Sequence, residues 1–146
     1  MINTADTRIL KVINKIDELS VMVDFLDELG QLWNLPPPLV MSLNLVLEEA
    51  LTNIIFYGYD DKEEHTIEIR FEKLKDQISV SIMDDGHEYD PTIKPDPDLT
   101  LPLEERQIGG LGILFIKKIM DSVRYERKEN KNYLILTKQL SNDDHH

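Results

Sequence analysis

Cysteine is absent from all 146 residues, which excludes disulfides, thiolate metal centres and cysteine nucleophiles. Also missing is any run near the roughly 18 consecutive apolar residues that a membrane span requires, so no membrane role is expected. Positive charge is scarce: 16 Lys and Arg stand against 28 Asp and Glu, for a net charge of −12. Such a surface repels phosphate backbones and anionic lipid, which sets nucleic acid and membrane surfaces aside as partners. The N-terminus lacks the basic start, apolar middle and small-residue cleavage site of a secretory signal, and a cytoplasmic location is the expectation. The histidines are His65, His87 and the terminal pair His145–His146, which is given no weight.

What is present describes an ordinary globular protein: 41% hydrophobic and 30% charged residues, at a length that suits one domain. The expectation is one domain over residues 1–140 followed by a polar tail, 141–146. An acidic chain that binds a phosphorylated ligand needs local help from a cation, backbone N–H groups or a helix N-terminus. Glycine-rich turns ahead of helices are therefore the features to look for.

Thr7–Ile13 reads as a short first strand. Asp17 to about Trp33 carries apolar residues at three-and-four spacing, an amphipathic helix stopped between Gly30 and Pro36. Pro36–Pro38 then sets up a second helix, about Leu39 to Phe56, with Leu43, Val46, Leu47, Ala50, Leu51 and Ile54 on one face. Gly58 is the expected left-handed cap. His65–Lys73 and Gln77–Met83 alternate apolar and polar residues and form an expected antiparallel hairpin. From Asp84 to Ile108 the pattern breaks, and four of the seven prolines fall there. Gly109 to Gly112 opens a third helix, and strands near Ser122–Lys128 and Asn132–Gln139 close the chain. Helices grouped apart from consecutive hairpins point to a two-layer α+β sandwich.

Three motifs carry chemistry. Glu49 and Asn53, four apart, project together from one shoulder of the second helix. An amide oxygen can ligate Mg²⁺ beside phosphates, and a carboxylate can accept a proton. By itself such a pair is most often a solvated face. Asp84-Asp85-Gly86-His87-Glu88-Tyr89-Asp90-Pro91 follows an apolar strand. It places a carboxylate at the strand end and a glycine where backbone can approach a ligand, a pattern that suits an adenine amino group. Taken singly, ordinary turn chemistry is the favoured explanation. Gly109-Gly110-Leu111-Gly112 offers N–H donors and a positive dipole end to phosphate, without the Lys-Ser/Thr of a P-loop. A flexible hinge is the plain alternative.

Taken in order, Glu-x-x-x-Asn on a helix, Asp-x-Gly after a strand and Gly-x-Gly before a helix resemble the GHKL ATPase superfamily of gyrase, histidine kinases and MutL. Within it, EALTNIIFYGY, DDGHEYDP and GGLGILFIKKIMDSVRYER are most similar to the anti-sigma-factor serine kinases, over about Leu43 to Lys138. The resemblance implies a Bergerat (histidine-kinase-like) fold, a mixed, mostly antiparallel sheet with about three helices on one face. It implies ATP and Mg²⁺, with Glu49 as general base and Asn53 as metal ligand. Asp84 would accept from the adenine amino group, and Gly86 would let the base pack close. The stretch Gly109, Gly110, Leu111 and Gly112 would meet the phosphates, and Asp84 to Ile108 would form a lid. The implied partners are an anti-anti-sigma (STAS-type) protein, phosphorylated on serine, and a sigma factor, with the kinase itself a homodimer.

The chain departs from the family pattern in three places. Glu88 stands where many members have a second glycine. No arginine immediately precedes the glycines, the nearest being Arg106. Asn132-Tyr133 occupies the position of a usual Gly-Thr pair. Phosphotransfer is more exposed to these changes than nucleotide binding. A nucleotide-dependent sequestering module is therefore the alternative function, and a detached histidine-kinase catalytic domain a third. Glu48 points about 100° away from Glu49 and reads as solvated; His87 reads as a surface loop residue, and Trp33 and the methionines as core or interface fillers.

Overall fold

In the computed structural model, residues 6–93 and 110–140 are described. Strand β1 (Asp6–Ile13) leads through a short 3-10 turn at Ile16–Glu18 into α1 (Leu19–Leu32). Helix α1 ends in a Schellman motif: Asn34 takes φ 54°, Leu35 N donates to Gly30 O at 2.9 Å, and Asn34 N donates to Gln31 O at 3.3 Å. The fixed φ of Pro37 and Pro38 suits the first turn of α2 (Pro37–Tyr57), where no intrahelical N–H is required.

Gly58 closes α2, but not as a left-handed cap. Its backbone stays right-handed (φ −84°, ψ −17°), and its N–H still donates to Ile54 O at 2.9 Å. Strands β2 (Thr66–Lys73) and β3 (Gln77–Asp84) form the expected hairpin, with Leu74 N on Gln77 O. Helix α3 (Gly110–Ile119) precedes β4 (Ser122–Lys128) and β5 (Lys131–Gln139). Glu129 and Asn130, at φ 53° and 63°, make the two-residue turn whose twist matches a hairpin.

The five strands lie in the order β1-β2-β3-β5-β4, and every described pairing is antiparallel. Alternation puts Ile78, Val80 and Ile82 of β3 on one buried face, joined by Ile67, Ile69 and Phe71 of β2 and Leu136 of β5. The three helices cover that face, with Met22 and Leu26 from α1, Leu43 and Leu47 from α2, and Ile113 and Ile116 from α3 all fully buried. This is the two-layer α+β sandwich. Trp33 ties the layers at one end, donating from Nε1 to Asp6 Oδ2 at 2.7 Å. Met22 and Met120 fill the core, whereas Met41 is exposed.

Among the described residues α2 alone has the length and composition of a membrane span. Here it is the central core helix, with Glu48 and Glu49 interrupting its outer face.

Candidate functional site

Strand β3 runs apolar until its last inward position, and that position is Asp84. Continuing the alternation of Ile78, Val80 and Ile82, the carboxylate is delivered to the core face at the sheet's end, only 5% exposed. Burial pushes its pKa above the ordinary carboxylate value; hydrogen bonds from Asn132 and the Gly86 backbone and the Arg127 charge oppose that shift. Gly86 N donates to Asp84 Oδ1 at 2.9 Å, and Asn132 Nδ2 donates to the same oxygen at 3.0 Å.

Above Asp84, α2 and α3 part to leave a cavity of about 270 Å³. Asn53 and Ala50 of α2, Ile113 and Ile116 of α3, and Asp84 and Asn132 of the sheet line it. The volume is at the small end of ligand pockets, and the lining is apolar with few polar groups, the usual character of a small-molecule site.

The glycine motif meets the helix motif directly. A Cβ on Gly112 would come within 2.6 Å of Glu49 Oε2 and 3.5 Å of Asn53 Nδ2. Only glycine lets α3 seat against that carboxylate without moving it. Gly110 and Gly112 do not form a turn ahead of the helix, as expected from sequence; they belong to its first turn. Tight seating on α2 fits that placement, since glycine at position 112 lets the first turn of α3 come up against the Glu49 carboxylate. Leu111 lies in the same turn, while Gly109, Arg106 and the greater part of the expected Asp84–Ile108 lid lie outside the described residues.

Gly86 also has a protein neighbour that the sequence did not name. A Cβ there would stand 2.2 Å from the Gly58 carbonyl oxygen, so the close approach it permits is to α2's closing residue. His87 N donates to that same carbonyl at 3.0 Å, and His87 Nε2 donates to Tyr57 O at 2.7 Å. The histidine read as a surface residue is exposed, yet it lines the cavity and pins the turn after Asp84 to the end of α2. Glu48 and Glu49 are both exposed.

Three polar residues of the site were not singled out as site residues from the sequence. Asn132 is buried at 7% exposure and sits directly opposite Asp84 in the β3–β5 register. Its Oδ1 accepts from Tyr125 Oη at 2.5 Å and Arg127 Nη1 at 3.0 Å. The sequence marked Asn132 only as a departure; its pairing with Asp84, 48 positions away, is a matter of strand register.

The chain belongs to the histidine kinase-like ATPase domain family, which matches residues 13–138. It is 31% identical to serine/threonine-protein kinase BtrW of Bordetella bronchiseptica over 66% of this chain and 68% of that protein. It is 27% identical to serine-protein kinase RsbW of Halalkalibacterium halodurans (72% and 65% covered), and 26% identical to anti-sigma F factor of Clostridium novyi (69% and 71%). These alignments span about two thirds of each relative's own length. A solved histidine kinase domain from the Erythrobacter litoralis blue-light-activated histidine kinase superposes with a TM-score of 0.51 at 12% identity. That match covers 86% of this chain and 60% of that one, and it supports the fold. The α+β sandwich read from the sequence is thus that of an ATP-binding domain.

Proposed function

We propose that this chain is an ATP-dependent protein serine kinase of the anti-sigma type, acting on a serine of an anti-anti-sigma (STAS-type) partner. The single observation that supports the reading best is convergence. Ala50 and Asn53 of α2, Asp84 at the end of β3 and Ile113 in the first turn of α3 border one cavity, although Ala50 and Ile113 lie 63 positions apart, and beside it Gly112 packs against Glu49.

On this reading the adenine enters the apolar cavity and gives its amino N–H to Asp84. The N-terminal turn of α3 at Gly110–Gly112 would present to the phosphates N–H groups that have no intrahelical partner, together with the positive end of its dipole. Glu49 takes the serine hydroxyl proton as the Oγ–P bond forms and the bond to the leaving ADP oxygen breaks. A lone amide oxygen on Asn53 suits Mg²⁺, which keeps most of its water and takes other ligands from phosphates. Bound there, the ion would neutralise charge on the phosphate oxygens. Homodimer formation, binding of a sigma factor and a cytoplasmic location belong to the same proposal, and the anti-sigma name of one relative supports the second of these.

The test is label transfer from radiolabelled ATP with Mg²⁺ to a cognate anti-anti-sigma domain. Wild type should transfer label and Glu49→Gln should not, while both retain nucleotide. Tight ATP binding by wild type with no transferred label would instead establish the sequestering module.

A further inference from the structure

Asp84, Asn132 and Arg127 form one row across three strands. Asp84 is registered against Asn132, and Asn132 against Arg127. Every hydrogen-bonding capacity of the Asn132 amide is used. Its two N–H groups go to Asp84 Oδ1 (3.0 Å) and His87 O (2.9 Å), and its oxygen takes Tyr125 Oη and Arg127 Nη1. A flipped amide would set its oxygen against a carboxylate and a carbonyl, and its N–H groups against a guanidinium. The surroundings therefore dictate its orientation. Arg127 Nη1 is also 2.8 Å from Gly86 O, so the same hairpin holds both the carboxylate and the backbone that follows it.

This has a consequence for ligand choice. Both donors that Asp84 receives fall on Oδ1. Among the described residues no hydrogen bond is made to Oδ2, which is left as an acceptor on a side chain that lines the cavity. We propose that the Tyr125–Arg127–Asn132 cluster of the β4–β5 hairpin is the base-selectivity device of this site. It locks Asp84 as a one-oxygen acceptor that admits a purine with an exocyclic amino donor and rejects its 6-oxo counterpart. The proposal rests on Asp84 being the base contact. These are positioning residues, acting through Asp84.

The experiment is calorimetric titration of the full chain with ATP and with inosine triphosphate between pH 6 and 8.5. Asn132→Asp preserves shape but sets a second carboxylate against Asp84, so the pair shares a proton at low pH and repels when both ionise. Asp85, Arg127 and Tyr59 are the other ionisable groups coupled to Asp84, and they are unchanged in this variant. Wild type should favour ATP by about tenfold or more, the scale of one hydrogen bond to a charged group. Asn132→Asp should lose about tenfold in ATP affinity at the alkaline end and less at the acid end, with a narrowed ATP preference. Arg127→Leu, which removes one restraint on the amide and a positive charge that favours ionised Asp84, should narrow the preference, most at the acid end.

Wild-type selectivity that persists unchanged in both variants overturns the proposal alone. An equal, pH-independent loss of both nucleotides reduces the cluster to scaffolding and overturns it too. Wild type that takes ATP and inosine triphosphate equally removes the base contact itself.

Discussion

The two ends of the cavity are built in opposite ways. At the sheet end, Asp84 is buried and held by two donors, and Asn132 has no capacity to spare. At the helix end, Asn53 lines the cavity and Glu49, one turn earlier on α2, is exposed beside it; among the described residues neither has a hydrogen-bonding partner. A satisfied polar network is rigid and costly to rearrange, whereas an open acid and amide leave their bonding capacity to whatever arrives. On the proposed reading, the difference teaches that recognition is built into the sheet in advance, while the groups proposed for chemistry are left open for metal, phosphate and partner.

Glu49→Gln tests that division most severely. Loss of a general base should cut phosphotransfer about 10²–10⁴-fold. ATP affinity should stay within a few-fold, as read by label transfer and calorimetry side by side. A comparable fall in affinity would mean that the helix end also recognises the ligand.

Asp84→Asn attacks the other end and should reverse the pattern. ATP affinity should drop about tenfold or more, since an amide cannot offer the same charged acceptor. Burial already disfavours the ionised carboxyl, so neutralising it should leave the thermal midpoint close to that of wild type. By the same sign, wild-type ATP affinity should begin to fall on acidification at a pH above the ordinary aspartate value of 3.8. A titration against pH checks this.

Gly112→Ala sharpens the boundary between the two ends. The added methyl meets Glu49 Oε2, the far end of a flexible side chain, so the fold should survive while the carboxylate moves aside. Transfer should fall about tenfold, and ATP affinity less, in the same pair of assays.

The smallest effect belongs to a tie outside the cavity. His65, stacked on Tyr59 at 4.1 Å, contacts Asp61 through Nε2 (2.8 Å) and Asp85 through Nδ1 (3.2 Å). The hydrogen bond to Asp61 raises its pKa above 6.5, against an opposing effect of burial. A raised histidine stabilises the fold fully below its unfolded value, and that contribution disappears as pH climbs through the folded value. The melting difference between wild type and His65→Gln should therefore be largest near pH 6 and shrink towards pH 8.5. It should stay small, because Asp61 is exposed.

Periodicity alone found the helix that carries Glu49 and Asn53, because residues four apart share a face whatever the helix packs against. It also found Asp84 at the end of an alternating strand, since alternation puts every second residue inward. It missed the right-handed backbone of Gly58 and the Gly58–Gly86 contact, which arise only when α2 and the turn after β3 meet. It placed the Gly110 turn ahead of α3, because spacing does not say how closely two helices approach.

By itself, then, the order of residues determined the elements, their inward faces and the three chemical motifs, since these depend on short-range stereochemistry and on which side chains avoid water. Only the tertiary structure decided that Asn132 and Arg127 stand beside Asp84, and that Gly112 rests on Glu49. Strand register and helix approach join residues far apart in the chain, and those long-range contacts are settled by packing the whole core at once.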